Sequence, residues 1–368
     1  MSLQVTLGKE HQGMRLDAAL TGTLTESHGE FEGASRTQIQ KLIAAGGVKI
    51  NGDVPRKNLT VTGGETAVID LGVWQELTRD RADLTFAPEE IPFSLPVLYE
   101  DDHMLAVAKP AGAVVHPVPG MDEPTMVDYL KAHQFRLAET GETLKPGIVH
   151  RLDKGTSGVL LVAKDTPTHA RLQAMFEQRK VAKYYLAVTL GPKLPQRGRW
   201  EYKLARNPKH RELFMAANEG RYSLTYYRLL AQNSLCTLLL LRIITGRTHQ
   251  IRVHLKEQRH AIIGDDEYGR GPNGELARFL KGGADRSLRR AWSEAVAGDE
   301  SRSALQDAVA ACPGMFLHAY ALYLEHPVTG RELAVKAEPP GYFAELLAVF
   351  GWRVPDEPRE LLDVEETQ

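Results

Sequence analysis

The stretch Gly147-Ile148-Val149-His150-Arg151-Leu152-Asp153-Lys154-Gly155-Thr156-Ser157-Gly158, running on through residues 159–163, sets two apolar runs on either side of a glycine-bounded turn. Residues 148–152 read as a strand entering the turn and residues 159–163 as the strand leaving it. Gly155 and Gly158 permit backbone angles that a larger residue resists. Period two puts Arg151 and Asp153 on one face of an extended segment. A carboxylate beside a guanidinium at a strand end is either a nucleophile kept ionised or an ion pair closing a loop. Spacing alone favours the ion pair, because such pairs are ordinary.

Outward from this turn, residues 97–100 and 104–108 suggest a hairpin closed by Lys109-Pro110-Ala111-Gly112. Helical spacing marks residues 125–133 and 166–180, the latter with Leu172, Met175 and Phe176 on its apolar side. Strands are expected at 183–190, 221–230 and 235–244, a helix at 249–259, and a terminal hairpin at 316–324 and 332–337 around Thr329-Gly330-Arg331. A short helix follows at 342–350. Many strands joined by hairpins, with no successive βαβ units, point to an α+β class with a mainly antiparallel mixed sheet.

The domain at residues 97–352 carries an insertion at about 270–314, rich in Ala, Gly, Ser and charge and read as a partly disordered surface loop with a helical pattern at 278–292. Residues 353–368, with six acids against two arginines, read as a solvated, frayed acidic tail. Ahead of the large domain, residues 73–96 hold five acids, two arginines and three prolines, the composition of a linker.

Residues 1–72 form a separate unit. Arg15-Leu16-Asp17-Ala18-Ala19-Leu20 begins one amphipathic helix, and Ser35 caps a second with Ile39, Leu42 and Ile43 on its apolar face. Gly47-Val48-Lys49-Ile50-Asn51-Gly52 then gives a short strand and an Asn-Gly turn. Residues 35–58 carry five basic side chains against the single acid Asp53, which is either a solvated helix face or a phosphate-binding one.

The bulk numbers exclude several classes. A chain of 368 residues with 43 % hydrophobic and 25 % charged content is an ordinary soluble composition. A net charge of −2 argues against a uniformly basic binder but leaves room for local basic patches, such as the six basic residues against one acid in 197–211. Two cysteines, Cys236 and Cys312, allow neither a disulfide framework nor a cysteine zinc site, so a cytoplasmic protein is expected. No run approaches the roughly 18 apolar residues that span a membrane.

Thr245-Gly246-Arg247-Thr248-His249-Gln250-Ile251-Arg252-Val253-His254-Leu255 follows a leucine-rich run, so a buried strand delivers arginines and histidines to its end. Thr-Gly-Arg recurs at 329–331 as a plain turn; the information lies in His249-Gln250-Ile251-Arg252. A spacing of five does not align His249 and His254 on a helix, and structural histidines are the simpler reading, so no metal site is expected. Gly269-Arg270-Gly271 lacks the third glycine and the preceding strand of a dinucleotide fingerprint.

Taken together, His150-Arg151-Leu152-Asp153 with Gly155-Thr156-Ser157-Gly158, residues 105–110 with Gly112 and His116-Pro117, Val181-Ala182-Lys183-Tyr184-Tyr185-Leu186-Ala187, residues 245–255, Gly264-Asp265 with Tyr268-Gly269, and Leu317-His318-Ala319 resemble the RluA-type pseudouridine synthases. The first 72 residues resemble the alpha-L RNA-binding motif that members acting on large-subunit ribosomal RNA carry. This resemblance implies the pseudouridine synthase catalytic fold and isomerisation of uridine in RNA, with 23S-type large-subunit ribosomal RNA as the partner. The same chemistry on tRNA, or an idle ribosome-assembly factor, are the alternatives. It implies no cofactor, because no redox change or group donor is needed, and a monomer. By resemblance Asp153 is the nucleophile on a flipped-out uridine, Arg252 its ionic partner with Arg247 the alternative, and Tyr185 the ring that stacks on the uracil. Arg151, His150, Arg247, His249 and Gln250 would bind substrate. Arg36, Lys41, Lys49, Lys57, Arg199, Lys203 and Arg206 would lie near phosphates. On this reading Asp153 pairs mainly with Arg252, and Arg151 faces the RNA.

Overall fold

The computed structural model describes residues 2–56, 59–78, 84–118, 121–140, 144–191, 193–281, 286–295 and 299–362. They form two compact units, Met1–Leu84 with Val118–Glu123, and Thr85–Pro117 with Pro124–Gln368.

The first unit runs β1 (Ser2–Leu7), α1 (Leu16–Ser27), α2 (Arg36–Ala44), β2 (Val48–Ile50), β3 (Glu65–Asp70) and α3 (Leu71–Thr78). Its antiparallel sheet has the order β1-β3-β2. Ser35 and Gln38 cap α2 reciprocally, side chain to backbone in both directions. Asn51 (φ 50) and Gly52 (φ 94) take the left-handed angles the Asn-Gly turn demands. The reading of residue 73 onward as linker is corrected here. Leu71, Trp74 and Leu77 recur every three residues, and α3 closes the core: Trp74 stacks on Phe31 at 4.4 Å and donates its indole N–H to the Glu30 carbonyl. Acid count masked that spacing. Residues 85–96 belong to the second unit, whose core takes in Leu95.

The second unit begins with β4 (Val97–Glu100), β5 (Met104–Lys109), α4 (Met126–Ala132), β6 (Ser157–Ala163), α5 (Thr166–Glu177) and β7 (Ala182–Leu190). It continues with β8 (Arg197–Arg206), β9 (Phe214–Ala216), β10 (Arg221–Gln232), β11 (Cys236–Ile243), α6 (Gln250–Glu257) and β12 (Ala261–Ile262). Then come α7 (Arg270–Leu280), α8 (Arg286–Ala295), α9 (Asp299–Ala311), β13 (Leu317–Glu325), β14 (Glu332–Lys336), α10 (Gly341–Val349) and α11 (Pro358–Leu361). The strands form one 11-stranded sheet with the path β4-β5-β6-β13-β7-β11-β10-β8-β9; β12 and β14 attach to β7 and β13. Every pairing is antiparallel except β6 with β13.

The central strands β6, β7 and β11 are apolar almost throughout because both of their faces are covered. Period two then separates neighbours: Tyr184 packs with α7, α9 and α10 on one face, and Tyr185 joins Leu239, Leu241 and Leu160 on the other. At the parallel seam Gly158 (φ 116) faces Ala319, where a Cβ would lie 2.2 Å from the Ala319 carbonyl oxygen. His318 fastens the same seam, its Nδ1 2.9 Å from the Ser157 hydroxyl and its Nε2 2.9 Å from the Ala337 carbonyl.

Two further expectations give way. The 270–314 segment is not a surface loop, since α7 and α9 bury Leu276, Phe279, Leu280, Leu305 and Ala308 against the sheet face and α10. Charge hid the sparse apolar stripe. The tail is anchored up to residue 362: Leu362 is buried, and Tyr320 donates to the Pro355 carbonyl. Residues 363–368 lie outside the described residues.

Candidate active site

Residues 148–152 do not form the expected strand. Only an isolated bridge, Ile148 to Val162, pairs them. Ile148 and Leu152 are buried, Arg151 is exposed and Asp153 half-buried, and the last two both border the same cleft.

The Asp153 turn is held from below. Thr156 donates its backbone N–H to the Asp153 carbonyl, and Met315 donates to that of Gly155. Gly155 and Gly314 cross so closely that a Cβ on Gly314 would lie 2.5 Å from the Gly155 oxygen, and a Cβ on Gly264 would lie 2.5 Å from the Gly314 oxygen. Lys109, 1 % exposed, donates to the carbonyls of Pro110 (2.9 Å), Ala113 (2.8 Å) and Lys154 (3.2 Å). Burial pulls its pKa down to about 7 while the Asp153 carboxylate pushes it up. Three carbonyls match all three ammonium protons, so the cage fits the charged form.

Opposite stands α6. His249 precedes it in the left-handed conformation (φ 55). The buried Gln250 amide receives the Thr245 hydroxyl and the Arg247 N–H, and donates to the Leu224 carbonyl and the Thr225 hydroxyl. Gln250 therefore builds the 245–250 loop. Arg252, 5 % exposed, makes a bidentate pair with buried Asp265: Nε to Oδ2 and Nη2 to Oδ1, both 2.8 Å. Nη2 also reaches Glu267, and the guanidinium lies 4.7 Å from the Tyr268 ring. Only Nη1 is left for Asp153, 3.6 Å from Oδ2. Arg252 is thus the arginine beside Asp153, while its own main partner is Asp265, a residue the expectation did not include.

His249 sits between the two sides, its Nε2 3.9 Å from Asp153 Oδ1 and its Nδ1 2.8 Å from the Tyr268 hydroxyl. That hydroxyl already accepts from the Phe214 N–H, so its proton is available to Nδ1. Burial lowers the His249 pKa against the pull of Asp153.

Asp153, His249, Gln250 and Arg252 line one cleft of about 400 Å³ with His150, Arg151, Lys183, Tyr185 and Arg247. Tyr185 is 8 % exposed, and burial with the nearby Asp153 charge raises its pKa, keeping the phenol protonated. His150 stacks on Phe176 at 4.5 Å, and its Nε2 accepts the Leu161 N–H; burial takes its pKa down to about 3, so the ring is neutral. Arg247 donates Nε to the Tyr222 carbonyl.

Of the expected RNA-facing residues in the second unit, Arg199, Lys203 and Arg206 do not line this cleft. Arg199, Lys203 and Arg206 are exposed along β8; Arg199 pairs with Glu201 at 2.9 Å, and Arg206 lies 5.4 Å from the Phe214 ring. In the first unit Lys41 and Lys49 are exposed, but Arg36 is tied bidentately to buried Asp17, which also receives Arg15 and Gln40 and is held well below the usual carboxylate range. Lys57 lies outside the described residues. Sequence reasoning missed Asp265, Lys109 and Lys183 as site residues. The last two had a signal, each being a lysine adjoining an apolar strand, where a charge is costly.

Among the described residues no group of three or more His, Cys, Asp or Glu side chains fits a metal ion, and no helix is long and apolar enough to cross a membrane. A cleft floored by a carboxylate, with a protonated phenol and an arginine over it on a mixed sheet, fits nucleoside isomerisation. Residues 103–257 match the RNA pseudouridylate synthase family. The chain is 33 % identical over 347 residues, 93 % of its length and 91 % of the other, to an uncharacterized RNA pseudouridine synthase of Synechocystis. It is 32 % identical to ribosomal large subunit pseudouridine synthase D of Vibrio cholerae, covering 94 % of each chain, and 35 % identical to that of Xylella fastidiosa, covering 94 % of this chain and 92 % of the other. The chain belongs to the RNA pseudouridine synthase family, a family of isomerases, and has its α+β fold.

Proposed function

We propose that this protein isomerises uridine to pseudouridine in large-subunit ribosomal RNA, with Asp153 as nucleophile. The observation that carries the reading is Asp153 on the floor of a basic cleft, 3.6 Å from an arginine that other carboxylates already hold. Relatives named for the ribosomal large subunit, matched over nearly their whole length, support that substrate.

The reaction breaks an N-glycosidic bond, turns the base and forms a C-glycosidic bond. A paired uridine must leave its helix first. Arg151, exposed at the rim, fills the vacated space. Arg252 Nη1, 3.6 Å from Oδ2, orients Asp153 at the sugar and base. Tyr185 stacks on the uracil and, as a protonated phenol, takes part in moving the C5 proton. His249 borders the same carboxylate.

Unmodified ribosomal RNA incubated with wild type and with Asp153→Ala, followed by pseudouridine mapping, tests this. New sites with wild type and none with the variant are expected. No new site with wild type removes the reading, and equal activity in the variant removes Asp153 from it.

A further inference from the structure

One buried cation of the cleft has no part in that chemistry. Lys183 opens β7, 7 % exposed, two residues before Tyr185 and on the same sheet face. Its ammonium reaches the 245–247 loop, where a Cβ on Gly246 would lie 4.0 Å from Nζ. Arg179, after the end of α5 in the left-handed conformation (φ 61), and Arg247 line the same end of the cleft. Among the described residues no ion pair reaches these three, and no carboxylate appears among the charges acting on Lys183 or Arg247. The Phe176 ring, 5.7 Å from Nζ, is covered on one face by His150, and the exposed Glu177 borders the rim. Burial and the two arginines pull the Lys183 pKa down to about 8.

A desolvated cation with no anion costs stability, and three converging cations cost more. Such a cluster is paired once an anion arrives. We propose that Lys183, with Arg179 and Arg247, seats one backbone phosphate adjoining the flipped uridine. This rests on the RNA-isomerising reading above. Two residues along a strand span about 7 Å, the reach from a nucleoside held at Tyr185 and Asp153 to its own phosphate. Lysine suits a phosphate as a compact point charge, and the covered Phe176 leaves little room for a second stacked base. The seat fixes the sugar relative to Asp153 and adds nothing to the chemical step.

Binding measured on an Asp153→Ala background separates the seat from turnover. With unmodified ribosomal RNA, Lys183→Met is expected to bind about tenfold more weakly and to lower the salt slope of log affinity by about one. Lys183→Arg keeps the slope. A methylphosphonate on either side of the mapped uridine weakens binding when Lys183 is present and has no added effect in Lys183→Met. RNA-free Lys183→Met melts at a higher temperature than its parent, because an uncompensated cation is gone. Unchanged affinity and slope, a full methylphosphonate penalty in Lys183→Met, or a lower RNA-free melting temperature would each overturn the seat. The salt-slope arm needs no pseudouridine, so loss of the isomerase reading is seen separately in the mapping.

Discussion

Arg252 directs two 2.8 Å hydrogen bonds at Asp265 and leaves Nη1 3.6 Å from Asp153. A carboxylate clamped bidentately has both oxygens occupied and makes a poor nucleophile. Asp265 takes the clamp in place of Asp153, which receives a positive field and stays unbound. Backbone N–H groups of Glu267 and Tyr268 hold Asp265 in turn.

Asp265→Asn should therefore damage two properties. Breaking a buried pair leaves Arg252 uncompensated and costs about 3–5 kcal/mol of stability, read by urea denaturation. Single-turnover rates at a temperature where the variant is folded should fall more steeply than RNA affinity, because Arg252 swings onto Asp153. A stable variant with wild-type rates would refute this.

Asp153→Ala should leave stability within about 1 kcal/mol of wild type, since a 3.6 Å contact to an arginine already paired contributes little. RNA affinity should persist while turnover is abolished. Differential scanning calorimetry and a filter-binding titration measure the two sides.

Acid should unfold the protein early. His150 accepts an N–H at Nε2, and burial takes His150 to about 3 and His254 and His318 to about 4. In the unfolded chain each titrates near 6.5. The unfolded state thus takes up protons that the folded state refuses, so stability is full above about pH 6.5 and falls between there and about pH 4, by roughly 1.4 kcal/mol per pH unit for each histidine. His254→Asn should lower proton uptake on unfolding at pH 5 by about one, measured by calorimetry in buffers of different ionisation enthalpy.

RNA affinity should fall steeply with salt, because lysine and arginine contacts to phosphate dominate. Reversing Lys203 and Arg206 to Glu together should weaken binding and flatten the slope by about two. An unchanged slope would exclude the β8 stripe from the footprint.

Trp74→Ala should destabilise the first unit by about 3–5 kcal/mol, since its indole stacks on Phe31 and is 4 % exposed. The loss should appear in hydrogen exchange of β1 and β3. A fully solvated linker tryptophan would change nothing.

The hairpins were legible because period two and hairpin turns are local signals, whereas 148–152 is not a strand and β8, a charged edge-side strand, was not expected. The β4–β5 and β13–β14 hairpins fall where the pattern puts them. Tyr184 and Tyr185 separate onto opposite faces for the same reason. What escaped depends on distance. Asp265 has no local mark of importance, and its worth comes from Arg252, 13 residues earlier across a helix. Lys109 looks like the end of a hairpin until the Lys154 carbonyl, 45 residues away, joins those of Pro110 and Ala113 around its ammonium. Charge-rich composition misled twice, at Trp74 and in the 270–314 helices, where a few well-spaced apolar residues outweigh many solvated charges.

The glycine crossing at 155, 264 and 314 also bears on how the chain tolerates variation. The helical excursion α7–α9 leaves just after the Asp265 turn and returns at Gly314, which touches both that turn and the one bearing Asp153. Its two ends are pinned by backbone contact, whatever lies between them. The excursion can lengthen, shorten or change sequence while Asp153 and the Asp265 anchor of Arg252 keep their registration. A side chain at Gly264 would press on the Gly314 backbone, and one at Gly314 on the Gly155 backbone, so either would disturb the crossing.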